Sequence, residues 1–162
     1  MQNAKDSFYL ALRARLATIN PARTVLLRGA QRPGILVEEA EAPFAQLPPD
    51  VFVLRWQGLG VDTDLASTMD ATECEILYST CGTQAFGGLD RGRMLSAMDQ
   101  EVIAMLQPHY TPKVNYSVQP AEPMQTQVFW DEPAFSNITV QRDRLSRSAR
   151  ITIYSYQEQG EA

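Results

Sequence analysis

The chain has 162 residues, of which 44% are hydrophobic and 20% charged, with a formal net charge of −5. That length fits a single domain spanning 1–162, which can bury about 70% of its unfolded surface and needs no disulfide or metal staple. The negative balance argues against nucleic acid as the main partner, and no apolar run approaches the ~20 residues of a membrane span. Lys5 and Asp6 come early with no uninterrupted apolar run behind them, which predicts a chain that stays in the cytoplasm or leaves by lysis.

Lysine occurs only at Lys5 and Lys113, so arginine supplies nearly all of the 14 basic residues. Its rigid guanidinium fork suits ion pairs between proteins. Cys74 and Cys81 fall in what reads as one strand. Their odd separation places them on opposite faces, ~23 Å apart, so reduced thiols are expected.

In chain order, an amphipathic helix is predicted over 3–18. Phe8, Leu12, Leu16 and Ile19 recur at helical spacing, Leu10 and Ala11 widen the stripe, and Arg13 and Arg15 stay outside it. Asn20-Pro21 ends it, because the residue before proline is pushed out of the α region. A short strand over 24–28, turns at Gly29 and 32–34, and a second strand over 35–38 follow. Three prolines make 40–49 a loop. Residues 51–56 are β-branched and aromatic between Pro49 and Gly58, a strand signal. Residues 58–72 read as a long irregular loop and 73–80 as the next strand. Residues 82–88 connect to a second helix, with Gly87-Gly88 as a flexible hinge. Asp90 would cap that helix, Leu95, Met98, Val102, Met105 and Leu106 give its apolar stripe, and Pro108 stops it. Strands are predicted over 114–118, 126–130 and 150–156. Short turns without regular crossover helices predict an α+β fold, with an antiparallel or mixed β-sheet packed against two α-helices.

Catalytic constellations are scarce. His109 is the only histidine and follows a helix-breaking proline, where a surface cap is the ordinary role. Neither cysteine carries the surroundings of a Cys–His nucleophile, and no Gly-x-Ser-x-Gly elbow anchors a triad. Asp62, Asp64, Asp70 and Glu73 occupy positions one, three, nine and twelve of a calcium loop. Ala66 and Ser67, however, stand where that loop needs a ligand and a glycine, so a solvated acidic segment is the better reading. Gly87-Gly88 lacks the rest of a phosphate-cradling motif. No catalytic residue, metal or cofactor is expected.

Charge segregation is the informative pattern. Between Arg55 and Arg91 lies no basic residue, while Asp62, Asp64, Asp70, Glu73, Glu75 and Asp90 do. Later, Arg142, Arg144, Arg147 and Arg150 cluster with only Asp143 as an acidic neighbour. Two solvated segments of opposite sign would give this pattern. So would complementary faces that meet between subunits, since head-to-tail contacts of unlike faces generate rings or filaments.

A short leading helix running into Asn20-Pro21-Ala22-Arg23-Thr24-Val25 opens a further pattern. After it come Arg32-Pro33-Gly34-Ile35-Leu36-Val37-Glu38, the strand ending Leu54-Arg55-Trp56, and the Glu-Ile-Leu-Tyr-Ser-Thr strand. Leu89-Asp90-Arg91-Gly92-Arg93 then opens a helix. Over most of its length the chain resembles the small tail-terminator, or tail-completion, minor tail proteins of phages and prophages. The resemblance implies an α+β domain without catalytic residues that forms a homo-oligomeric ring, a hexamer in the family's known members. Such a ring caps the tail tube, ends its polymerisation and prepares head–tail joining. The implied partners are the chain itself, the tail tube protein and the head–tail connector, with no membrane and no specific nucleic-acid binding. The implied location is the host cytoplasm during assembly, then the virion tail. Arg142, Arg144, Arg147 and Arg150 become the expected subunit or partner interface, and Asp62, Asp64, Asp70 and Glu73 a lumen lining that repels DNA phosphates. A head–tail connector protein would read much the same. The reading from another class is a small binding module or metal-dependent protein using the acidic segment 62–73.

Overall fold

The computed structural model describes residues 1–41, 46–62, 68–158 and 161. Helix α1 (Gln2–Ile19) buries Phe8, Leu12 and Leu16, the predicted stripe, and stops at Asn20 ahead of Pro21. Ile19, in the last turn, is exposed instead. Arg15 corrects the expectation of an outward arginine. Its guanidinium donates to the carbonyls of Met105, Pro108 and Tyr110 (2.9–3.0 Å) and stacks on Trp130, which serves the unpaired carbonyls where the second long helix ends.

Strands β1 (Thr24–Leu27) and β2 (Ala30–Pro33) form a separate hairpin. Arg28 and Gly29 both have positive φ (50° and 81°), as a two-residue turn with the twist of its strands requires. The sequence reading placed a turn where β2 lies, because Ala-Gln-Arg-Pro has no β-branched residue. Gly34 then brings the chain against Arg23: a Cβ there would meet Arg23 Cγ and its carbonyl oxygen at 3.2 Å.

Strand β3 (Ile35–Val37) pairs in parallel with the start of β4 (Phe52–Asp62), and α2 (Glu38–Glu41) is one turn after it, from the end of the predicted strand into the start of the predicted loop. Strand β5 (Met69–Thr80) returns antiparallel to β4. The predicted loop over 58–72 is thereby corrected. Both strands run well into it, with a register shift between Gln57 and Leu59 where Gly58 takes φ 50°. Glycines and acids hid the strand signal, and a long antiparallel partner supplies the order they lack.

A single 3-10 turn over 84–86 leads into α3 (Arg91–Met105), which buries Leu95, Met98, Val102 and Met105. Strands β6 (Tyr110–Asn115), β7 (Glu122–Trp130), β8 (Ala134–Phe135), β9 (Thr139–Gln141) and β10 (Arg144–Tyr156) complete the chain. The sheet order is β3-β4-β5-β10-β7-β6, and β8 and β9 also pair with β10. This is a mixed eight-stranded sheet with the helices packed against it: an α+β fold.

The core lies between α1, α3 and one sheet face, where Phe8 meets Trp130 edge-on at 5.0 Å amid Phe52, Leu54, Ile76, Ile151 and Ile153. On the other face, Leu36, Val51 and Val53 lie beneath Val25, Leu27 and Leu47. The long β5–β10 ladder fixes the geometry that matters below. It runs from Thr80 opposite Leu145 to Met69 opposite Tyr156, so its two ends stand about 36 Å apart.

Candidate assembly surface

The four arginines singled out by charge patterning sit on β10 and the turn before it, but they do different things. Arg147 faces the helices. It donates to Asp99 Oδ2 (2.8 Å) and to the Ser136 carbonyl (2.8 Å), and lies over Phe135. Asp99 also accepts the Tyr78 hydroxyl, whose pKa is driven upward by burial and by that bond. Arg144 donates to the Leu47 carbonyl at 2.6 Å. Arg150, with its side chain 67% exposed, reaches Glu75 across the ladder at 3.6 Å. Arg142 occupies the β9–β10 turn at φ 54° and is exposed. Its carbonyl accepts Arg91, and its side chain makes no hydrogen bond among the described residues.

The acidic positions lie toward the other end of the ladder. Asp70 faces inward, buried, and accepts both contacts of the Gln157 amide (3.0 and 3.1 Å). Glu73 is exposed on the opposite face of β5. Those two carboxylates therefore do not converge as positions nine and twelve of a calcium loop must. The side chain of Asp62 and the whole of Asp64 lie outside the described residues. Glu75 is a hub on the open face, accepting Gln57 (3.0 Å) and Ser148 (2.8 Å) beside Arg55 and Arg150. Part of the segregated charge is thus matched within one copy.

The structure adds a feature that charge patterning missed. At the arginine end, Leu89 is 93% exposed and Phe86 60%, in the segment that leads into α3. Ile138 and Val140, beside and within β9, are also exposed. Leu89, Arg91 and Asp143 line one cleft of about 470 Å³ there, which ties the two segments together. Exposed apolar side chains with arginines nearby, as Leu89 has Arg91, have the make-up of a protein–protein contact. The signal in sequence was weak, because Phe86 and Leu89 stand among glycines with no periodic stripe to join.

The same segment corrects two local expectations. Asp90 does not cap α3 with its side chain. Its carboxylate accepts the Thr83 N–H (2.8 Å) and hydroxyl (2.7 Å), and these bonds hold it below the usual carboxylate range. Gly88 is no open hinge, for a Cβ there would strike the Cys81 carbonyl oxygen at 2.8 Å, and one on Gly82 would strike Gly88 Cα at 2.9 Å. The segment that carries Phe86 and Leu89 is folded against the end of β5.

A second cleft, about 640 Å³, opens on the non-helical face at this end. Its floor is Ser79 and Ser146, cross-strand partners, and its walls include Leu47, Arg142 and Arg144. Ser79 is 2% exposed, and its hydroxyl has no hydrogen-bond partner among the described residues.

Nucleophilic chemistry finds little support. Burial pushes the Cys74 thiol far above its ordinary value, and His109 lies 3.5 Å from Glu132, with no hydrogen bond to either cysteine among the described residues. Among the described residues no group of three or more His, Cys, Asp or Glu is placed to hold a metal, and no helix is long and apolar enough to cross a membrane. Compared with known proteins, the chain matches no protein-family model and no curated protein.

Proposed function

We propose that the chain is a structural assembly protein that closes into a homo-oligomeric ring, a hexamer, and caps a phage-type tail tube. In that role it ends tube polymerisation and offers its outer face to the head–tail connector. The observation that carries the reading is the exposure of Leu89 and Phe86 before α3 and of Ile138 and Val140 at β9, two segments that Arg91 joins by donating to the Arg142 carbonyl. Burying such a patch against a second protein removes apolar surface from water and places guanidinium groups where they pair with carboxylates. The resemblance to tail-terminator proteins supplies the kind of tube and the sixfold ring. Closure occurs in free solution or on a tube end that serves as template.

The test is a tube assay. Tail tube protein is polymerised with and without the purified chain, and tube lengths and ends are imaged by negative-stain electron microscopy. Short tubes bearing a ring at one end are expected. Tubes that elongate as in the control, with bare ends, overturn the reading.

A further inference from the structure

We infer that the 640 Å³ cleft on the non-helical face binds a carboxylate, held between the Arg144 guanidinium and the Ser79 hydroxyl. One copy supplies every group the site uses, so the inference goes beyond the ring reading.

The β5–β10 ladder builds the site. Ser79 and Ser146 stand opposite each other, and Arg144, two residues before Ser146, falls on the same face of the sheet. Arg144 is therefore a diagonal neighbour of Ser79, ~7–8 Å away along the backbones and within reach of a long side chain. Its Nη1 donates to the Leu47 carbonyl at 2.6 Å and it makes no other hydrogen bond among the described residues, so most of its five donors remain for a guest. Ser79 is 2% exposed at the cleft floor, and its hydroxyl has no partner among the described residues; a buried polar group in that state calls for one. A turn about its single χ1 torsion redirects that oxygen toward a guest. A carboxylate can accept from the guanidinium and from the hydroxyl together.

Size and charge narrow the ligand. The volume falls inside the range of small-molecule sites, about 300–1,000 Å³. Among the described residues that line the cleft, Arg142 and Arg144 stand against Asp143, which leaves one net positive charge. A single carboxylate balances it. A phosphate ester, at about −1.5 to −2 near neutral pH, would exceed it with Asp143 alongside. Leu47 and the amides of Gln46 and Gln141 remain to receive the stem of the acid.

Amide NMR titration of the full chain tests the site. Glutarate and a capped Ala-Glu-Ala peptide are the carboxylate probes, inorganic phosphate is the rival, and sodium chloride at equal ionic strength is the control. Saturable shifts of the Ser79, Arg144 and Ser146 amides are expected with a carboxylate probe. Tighter binding of glutarate marks a free acid as the ligand, and tighter binding of the peptide marks an acidic side chain of a protein. Arg144→Gln and Ser79→Ala should each weaken that binding about tenfold, as for the loss of a hydrogen bond to a charged group. Arg144→Lys, which keeps the charge and loses the fork, should bind with intermediate strength. Without carboxylate, Ser79→Ala should melt no lower than wild type, because the hydroxyl it removes has no partner among the described residues. Shifts no larger than those with chloride, tighter binding of phosphate, or full affinity in Arg144→Gln or Ser79→Ala overturns the assignment and leaves the ring reading intact.

Discussion

Glu101 is the perturbation whose cost can be worked most fully from the structure. It stands on α3 with a side chain only 10% exposed, and Arg23, 6% exposed, answers it from the segment after α1. Both guanidinium contacts fall on the carboxylate, one of them Nη2 to Oε1 at 3.0 Å, and Asn20 donates to the same Oε1 at 2.8 Å. Arg23 also donates to the Asp50 carbonyl (3.0 Å), so the pair joins α1, α3 and the entry to β4. Glu101→Ala leaves a guanidinium buried and uncompensated, a change that costs about 3–5 kcal/mol. With a urea slope of about 2 kcal/mol/M, the unfolding midpoint should fall by about 1.5–2.5 M. Replacing both partners, as Arg23→Met with Glu101→Leu, removes both charges and keeps the Cγ stem that Gly34 approaches. The double variant should therefore be more stable than Glu101→Ala alone. A loss below about 1 kcal/mol in Glu101→Ala, or a double variant as unstable as the single one, would refute the reasoning.

Further outcomes follow from the same contacts. Arg147→Glu should cost about 1.5–3 kcal/mol in urea unfolding because it breaks a charge-assisted bond to Asp99, whereas Arg150→Glu, largely exposed, should cost about 1 kcal/mol or less. Leu89→Glu should change the unfolding midpoint little yet weaken assembly, read by sedimentation; full assembly in that variant removes Leu89 from the contact. Burial and the bond to Glu41 push Tyr9 up to about 12 from an ordinary 10, so its contribution is complete below pH 10 and fades as pH climbs toward about 12. Tyr9→Phe should flatten that alkaline limb of the melting temperature. Burial opposes ionisation of Glu41, but bonds from Arg32, Tyr9 and the Val37 N–H outweigh it and hold its pKa below 4.5. Its contribution is complete above that ordinary value and is lost as pH falls through the lower one, so Glu41→Gln should give a shallower acid limb.

What could be read from the sequence was what depends on local pattern. Phe8, Leu12 and Leu16, and Leu95, Met98 and Val102, recur at helical spacing, so both long helices and their buried faces were legible. So was Ile151 and Ile153 alternating with Thr152 and Tyr154 on β10. Long-range pairing was not. Ala30–Pro33 is a strand because Thr24–Leu27 lies beside it, Gly60 is in a strand because Ala71 stands opposite, and the bulged Gly58 is held there by the Thr72 hydroxyl, which donates to its carbonyl. The charge runs were visible, but partners distant in sequence were not. Nothing around Arg147 announces Asp99, and nothing around Glu75 announces that Arg150 lies opposite. Exposure of Leu89 escaped for a related reason, since hydrophobic periodicity identifies buried faces and is silent about apolar residues placed outward on a turn.

Self-association is the claim on which the rest depends, and sedimentation velocity of the purified chain from micromolar to near-millimolar concentration tests it most directly, with a parallel series that includes tail tubes. One closed species several times the monomer mass of 18.1 kDa, growing with concentration at the expense of monomer or appearing on the tubes, is the predicted result. A monomer at every concentration that also fails to sediment with the tubes would contradict the account.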